Sequence, residues 1–309
     1  MIDRRLRVLR AIDRHHTVTA AAEVCRMTPS AASHQIQALS RELGVVLLEP
    51  AGRGVRLTAA ARTLLAHGEV LAAQWERARA DLAAHRTGGV GGTLRFCGFS
   101  TAAAAVVPQA MERLRRDHPA LRLHLRESEP ARSFDLLAAD DTDIVVVVAT
   151  ADIPPASDEA FDQYVLYEEP LDMLVGPEHP VVGRTDVALS ELAGDPWIGS
   201  NPGRAYHQLV MLACTSAGFA PEVAHYADEW DTGAALVARG FGVALIPRLA
   251  EVPALHDTRR VPVGAPPVPI RRAIAAIRSG SREQPAIAAG LAALHEVCAA
   301  LSATLRAPR

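Results

Sequence analysis

The chain has 309 residues, 49% of them hydrophobic and 22% charged, with a net charge of −3. That length suits two or three domains with real cores and excludes a disordered chain. The longest apolar runs, such as Ile144 to Val148, are far too short to cross a bilayer, and the opening MIDRRLRVLRAID has no apolar core followed by a cleavage site; the expectation is a cytoplasmic protein with no membrane contact.

In chain order, residues 4–15 read as a helix with Leu6, Leu9 and Ile12 facing inward. A break at His16-Thr17 leads to a second short helix, Val18 to Cys25, whose Ala20-Ala21-Ala22 run permits close helix approach. Arg26-Met27-Thr28 then turn the chain into TPSAASHQIQALSREL. Thr28 is a suitable N-cap, Pro29 falls at the first helical position, and Gly44 suits a left-handed stop. Ala32, Ile36, Leu39 and Leu43 form the buried face. The other face carries Ser30, Ser33, His34, Gln37 and Arg41, with Glu42 the only carboxylate. Hydroxyl, imidazole, amide and guanidinium groups suit phosphate oxygens and base edges, although taken alone the pattern also fits an ordinary surface helix. Two short helices joined by a tight turn form a helix-turn-helix arrangement.

After Gly44, the apolar pieces Val45–Leu48 and Val55–Leu57 flank a Gly-rich tip with Arg53 and Arg56, a small basic wing. Thr58 caps a long Ala-rich helix to about Arg86. Ala61, Leu64, Gly68, Leu71, Trp75, Ala78 and Leu82 step along it by threes and fours as one seam, read as a dimerisation helix. The stretch GGVGG, from Gly88 to Gly92, reads as a hinge. From Thr93 the pattern becomes α/β. Strands are expected at Thr93–Gly98, Leu121–Arg126, Asp143–Val148, Asp172–Gly176 and Arg271–Arg278. Helices are expected at Ala102–Asp117, Arg132–Ala139, Tyr206–Gly218 and Thr232–Arg239, with a last one from Gln284 to Leu305. Such alternation implies mostly parallel sheets with ligands at the carboxyl ends of strands.

Charge divides along the same line. Residues 1–90 hold 13 Arg against eight acids, and residues 91–309 hold 19 Arg against 27, so a +5 head sits on a −8 body. Only the head is suited to a polyanion. All 32 basic residues are Arg, which with the heavy use of Ala reads as coding bias. Cys25, Cys97, Cys214 and Cys298 form no C-x-x-C pair and no zinc spacing, so reduced thiols and no metal or cofactor are expected.

The whole chain resembles the LysR-type transcriptional regulators. The likeness is carried by AAAEVCRMTPSAASHQIQALSRELGVVLLEPAGRGVRLTAAA, and further by LRFCGFS, TDIVVVV, LDMLVGPEHP and LVARGFGVALIPR. The resemblance implies an N-terminal all-α winged helix-turn-helix, a long linker helix, and an α/β effector domain of two periplasmic-binding-protein-like lobes. On this sequence those are residues 1–58, 59–87 and 92–309, with lobe I at about 92–166 and 268–309 and lobe II at about 167–267. It further implies a regulator of transcription, switched by a small molecule in the cleft and assembled as a homodimer or a dimer of dimers. Its partners are double-stranded operator DNA, the effector and its own copies, with RNA polymerase as a further candidate. Thr28, Ser30, Ser33, His34, Gln37 and Arg41 become DNA contacts, with Arg53 and Arg56 on the wing; Leu64, Leu71, Trp75 and Leu82 become dimer contacts. Three departures stand out: the family often has an aromatic at Leu48 and a basic residue at Pro50, and His34 sits where Arg is common.

The implied cleft is lined by Ser100 and Thr101, Ser128 and Glu129, Ala149 and Thr150, and Ser200 and Asn201, with Glu229 and Trp230 near them. Ser100-Thr101 opens a helix, which suits a carboxylate-bearing effector, though the same residues also serve as plain caps and Trp230 equally as core. Competing classes are an enzyme and a solute-binding protein with a basic helical head. The first lacks a G-x-S-x-G elbow, an H-E-x-x-H pair and a phosphate loop. The second leaves the basic head unexplained. Within the family, a peroxide-sensing branch uses two neighbouring cysteines in the second lobe, where this chain has Cys214.

Overall fold

The computed structural model describes residues 3–85 and 89–306. The head opens with α1 (Arg4–His15), α2 (Val18–Val24) and α3 (Pro29–Leu43). Each N-cap side chain, Asp3, Thr17 and Thr28, accepts from a backbone N–H of its first turn. Gly44 ends α3 with φ at +69°, the left-handed stop expected of it. Val8, Leu9, Ile12, Ala21, Ala22, Ala32, Ile36 and Leu39 bury against one another as the head's core. The wing is β1 (Leu48–Ala51) paired antiparallel with β2 (Gly54–Leu57), so pairing starts three residues later than the apolar run at Val45 suggests. At Gly54 the backbone lies so close to the His16 carbonyl that a Cβ would overlap it. Only glycine lets the Val55 N–H donate to that carbonyl at 2.9 Å and fix the wing on the α1–α2 turn.

Helix α4 (Ala59–Ala84), capped by Thr58, divides the expected seam in two. Its first turns pack on the head through Ala61, Leu64 and Leu65, and Gly68 sits against the Leu6 side chain. Its middle packs on the body: Gly280 approaches the Ala73 carbonyl, and Glu76 accepts from Gln284 at 2.5 Å and pairs with Arg278 at 3.4 Å. The seam read as a dimerisation face is therefore taken in part by contacts within the chain itself, Leu64 among them. Val70, Leu71, Trp75 and Leu82 remain exposed on the other side. The hinge read at Gly88 begins outside the described residues.

The body begins with β3 (Gly92–Gly98), α5 (Ser100–Ala105), α6 (Val107–Asp117), β4 (Leu121–Glu127), α7 (Pro130–Ala138) and β5 (Ile144–Val148). The single helix expected over Ala102–Asp117 is broken at Val106, two residues ahead of Pro108, whose ring and missing N–H end a helix before it. Strand β6 (Phe161–Val175) is three times as long as expected and passes from one lobe to the other. There follow β7 (Pro196–Gly199), α8 (Ala205–Ser216), β8 (Glu222–Tyr226), α9 (Trp230–Val237), β9 (Ala244–Pro247), β10 (Arg259–Pro262), β11 (Ile270–Arg278) and α10 (Pro285–Arg306).

Sheet order is β10-β6-β11-β5-β3-β4, with β9 also on β6. Among the strand pairs of the described residues, β3–β4, β3–β5 and the separate pair β7–β8 are parallel, whereas β11 and β6 run antiparallel to their partners. The mostly parallel sheet is thus corrected to a mixed one, because β6 and β11 cross between lobes in opposite directions rather than wind through helices. Lobe I has apolar layers on both sheet faces, one around Phe96, Ile144 and Leu294 and one around Phe134, Val145 and Val147. Lobe II is built around Met173, Trp197 and Leu245. Among the described residues, no helix is long and apolar enough to cross a membrane, and no cluster of His, Cys, Asp and Glu could hold a metal ion.

Candidate functional site

The outer face of α3 is open. Thr28, Ser30, His34, Gln37 and Arg41 are exposed and Ser33 is half-buried. Thr28 Oγ1 accepts from the Ala31 N–H at 3.2 Å and lies 3.0 Å from Ser30 Oγ. The Gln37 amide donates weakly to Ser33 Oγ at 3.5 Å, and Arg41 Nε reaches the Gln37 carbonyl at 3.4 Å. These contacts follow the i to i+4 rows of the helix and leave the outward lone pairs and N–H groups for another molecule. On the wing Arg53 is exposed, whereas Arg56 pairs with Glu49 across the hairpin at 2.8 Å. The pair lowers the charge that Arg56 offers to phosphate, which sequence reading missed because Glu49 and Arg56 meet only through the β1–β2 register.

The second site is the cleft between the lobes, which holds a cavity of about 90 Å³. Ser100, Glu129, Ser200, Glu229 and Trp230 line it, together with Phe99, Arg204, Tyr206 and Arg271. Thr101, Ser128, Ala149, Thr150 and Asn201 do not: Val148 lines the cavity in place of the two residues after it, and Asn201 turns aside to donate to Asp228 through both its backbone and its amide. Those two bonds, the backbone one first, hold the Asp228 carboxyl below its ordinary value. The helix behind Ser100 has only six residues, so its N-terminus carries little of the dipole that the sequence suggested.

Three residues that sequence reading missed shape this cleft. Arg204 pairs with Glu129 of lobe I at 3.2 Å and Asp228 of lobe II at 3.6 Å, spanning the mouth. Arg271, 2% exposed, donates to the fully buried Glu169 at 2.5 Å and lies 4.9 Å from the Phe99 ring centroid. Tyr206 donates to the Leu245 carbonyl and meets the Trp230 ring edge-on at 4.9 Å. Arg271 did leave a signal: a charged residue within an apolar strand requires a buried partner. Three polar atoms of residues lining this cavity have no hydrogen-bond partner: Ser200 Oγ, the Trp230 indole nitrogen and Arg271 Nη2.

Cys97, Cys214 and Cys298 are buried and Cys25 is half-buried. Burial pushes Cys214 and Cys298 up to about 12 and raises Cys97 and Cys25 as well, so the nucleophilic thiolate is scarce at neutral pH. Cys97 belongs to the lobe I core and Cys214 to the lobe II core.

A model described as "LysR substrate binding domain" matches residues 87–299, and one described as "Bacterial regulatory helix-turn-helix protein, lysR family" matches residues 4–62. Among curated relatives, a hydrogen peroxide-inducible genes activator of Dickeya chrysanthemi is 29% identical over 80% of this chain and 79% of its own. The transcriptional dual regulator GltC of Bacillus subtilis is 27% identical over 91% of each chain. Among solved structures, a hydrogen-peroxide-bound OxyR mutant of Corynebacterium glutamicum has the same fold, with a TM-score of 0.62 at 22% identity over 97% of this chain and 96% of that one.

Proposed function

The chain belongs to the LysR family of bacterial transcriptional regulators, and from that premise we propose that α3 and the wing read an operator while a small effector in the interlobe cleft sets the reading. It is a DNA-binding regulator that responds to an effector, not an enzyme. Such a regulator works where the bacterial chromosome is, in the cytoplasm. The observation that carries the DNA assignment is the open face of α3, whose polar groups bond one another at the limit of hydrogen-bond length and leave donors and acceptors outward. The cleft assignment rests on Ser200, buried at 6% exposure yet with its hydroxyl unpartnered at the cavity. The unpaired donors there suit an acceptor-bearing group such as a carboxylate. Leu71, Trp75 and Leu82, exposed on one side of α4, are the proposed dimer contacts.

A peroxide-responsive reading, prompted by relatives named for hydrogen peroxide, is opposed by the thiol environments: Cys214 and Cys97 lie in different cores and neither is poised as a thiolate.

Operator titrations with two variants test the DNA assignment. Gln37→Ala is expected to weaken specific binding by roughly 1–3 kcal/mol and relax preference at one base position. Arg53→Ala is expected to weaken all sequences alike and reduce the salt slope by about one unit. Unchanged operator affinity in Gln37→Ala removes α3 from the groove.

A further inference from the structure

Charge at the cleft runs against a simple anion. Among the described residues lining the cavity, four carboxylates, Glu127, Glu129, Asp228 and Glu229, face two guanidiniums, Arg204 and Arg271. The charge of Arg271 is already neutralised by buried Glu169, although its Nη2 keeps a hydrogen-bond donor without a partner. Arg204 is shared between Glu129 and Asp228. Glu127 and Glu229 have no side-chain partner, and Glu229 stands directly before Trp230. A mono-carboxylate placed here would gain hydrogen bonds from Ser200 and the indole and lose against the surplus negative charge. A simple amine would satisfy the acids and leave the buried donors of Ser200, Trp230 and Arg271 as they are.

We propose that the cleft takes a small zwitterion of the amino-acid class, its carboxylate on Ser200 Oγ and the Trp230 indole N–H and its ammonium between Glu127 and Glu229. The proposal rests on the cleft being the effector site, as argued above, and names the ligand chemistry of that site. The two ends of the ligand answer two independent features: the unpartnered donors of Ser200, Trp230 and Arg271 call for an acceptor, and the exposed carboxylates of Glu127 and Glu229, which have no side-chain partner, favour a cation. Volume limits the rest. At about 90 Å³ the cavity is far below the roughly 300–1,000 Å³ of sites for drug-sized ligands, so the body between the two charges is no more than a few carbons. Those carbons meet Phe99, Val148 and Leu209, which give the cavity its apolar wall. Because Glu127 and Glu129 belong to lobe I and Ser200 and Trp230 to lobe II, such a ligand joins the lobes with its own two charges. It thereby adds to the link that Arg204 already makes to Glu129.

The test uses the full chain and three probes of similar size: L-alanine, propionate and ethylamine. Each is titrated by calorimetry and by thermal melting up to tens of millimolar, together with L-serine and L-2-aminobutyrate to bracket the side-chain volume. Binding of at least one of the three amino acids, tighter than both single-charge probes by tenfold or more, is the expected result. Ser200→Ala and Glu229→Gln should each weaken that amino acid by about ten- to a hundredfold, the range for losing a hydrogen bond to a charged group. Propionate binding as tightly as the amino acids, and lost in Ser200→Ala, overturns the zwitterion and leaves the cleft as the effector site. Ethylamine binding equally well, and lost in Glu229→Gln, does the same. Amino-acid binding that neither variant alters places the ligand elsewhere and overturns both readings. Failure of all five probes to bind overturns the zwitterion.

Discussion

Asp143 shows how a single carboxylate ties three parts of the molecule. It accepts from Arg95 through the backbone N–H, Nε and Nη2 at 2.8 to 3.0 Å, and from Arg278 at 3.2 Å. Arg278 in turn donates to the Thr142 carbonyl and pairs with Glu76 on the linker helix. Burial pushes the Asp143 carboxyl up, but the bonds from Arg95 and the charge of Arg278 outweigh it, and the net direction is down. A carboxyl lowered in the folded state contributes stability above its ordinary value of 3.8, and that stability is lost as pH falls through the folded value. Asp143→Asn is therefore expected to cost about 2–4 kcal/mol at pH 7, less than a fully buried pair would because Arg95 is one-third exposed. In urea melts, the gap between parent and variant should narrow below about pH 4; a gap independent of pH would mean the cost is packing and not charge. What was legible at this scale was local. Thr28 and Gly44 declare themselves because a cap bonds within its own turn. Arg271 and Glu169 lie 102 residues apart and Arg248 and Asp172 lie 76 apart, so no window of sequence shows either pair.

Elements were legible where one periodicity ran unbroken. Helices α1, α3 and α10 and strands β3, β4 and β11 fall within two residues of the expected limits, because each buries one consistent face or both. Strand β6 was seen only in its second half, where Leu171, Met173 and Val175 are buried. Its first half carries Tyr164, Val165 and Glu168 on mixed surroundings and owes its extension to β11 alongside. The short strands β7 to β10 have four or five residues each and form only because the lobe II core collects them. Helix α4 is the instructive case, since its seven-position stripe is one pattern with two destinations. Ala61, Leu64 and Gly68 are taken by the head, while Leu71 and Leu82 stand 61% and 67% exposed with Trp75 between them at 46%. An apolar stripe that its own chain leaves uncovered favours burial against a second copy. Leu71→Arg with Leu82→Arg is expected to convert the oligomer to monomer in sedimentation velocity while the thermal midpoint of the head changes little, because neither residue touches the head's core. An intact oligomer would place the subunit contact on another face.

At the scale of the whole molecule, the head does not hang free on α4. Arg14 and His15 of α1 reach Asp135 of α7 at 3.4 and 3.0 Å, Arg14 also donates to the Ala131 carbonyl at 3.1 Å, and Arg26, in the turn before α3, pairs with Asp141 at 2.6 Å. The guanidiniums of Arg10 and Arg14 lie 5.6 and 5.5 Å from the Phe161 and Phe134 ring centroids. Between this contact and α4 lies a cavity of about 1060 Å³, so the head and lobe I touch along a rim and not across a packed face. Helix α7 joins the two sites: Pro130 at its start lines the cleft cavity proposed for the effector, and Asp135, five residues on, holds the head. At 1.5 Å per residue that is roughly 7.5 Å of rigid helix between the cleft and α1. Lobe closure that displaces the start of α7 is therefore expected to displace the acid that anchors the head. A rim held by ion pairs over a large cavity is a contact of low local stability. Asp135→Asn with Asp141→Asn should free it without unfolding either part. Hydrogen exchange is the measurement: amides of α1 are expected to exchange about three- to tenfold faster in the double variant, the scale of losing roughly 1 kcal/mol of partly exposed ion pairing. Amides of β3 and β5 in the lobe I core, which these acids do not hold, should keep the parent rate. Equal exchange of α1 in parent and variant would mean that α4 alone carries the head, and the path through α7 would fail.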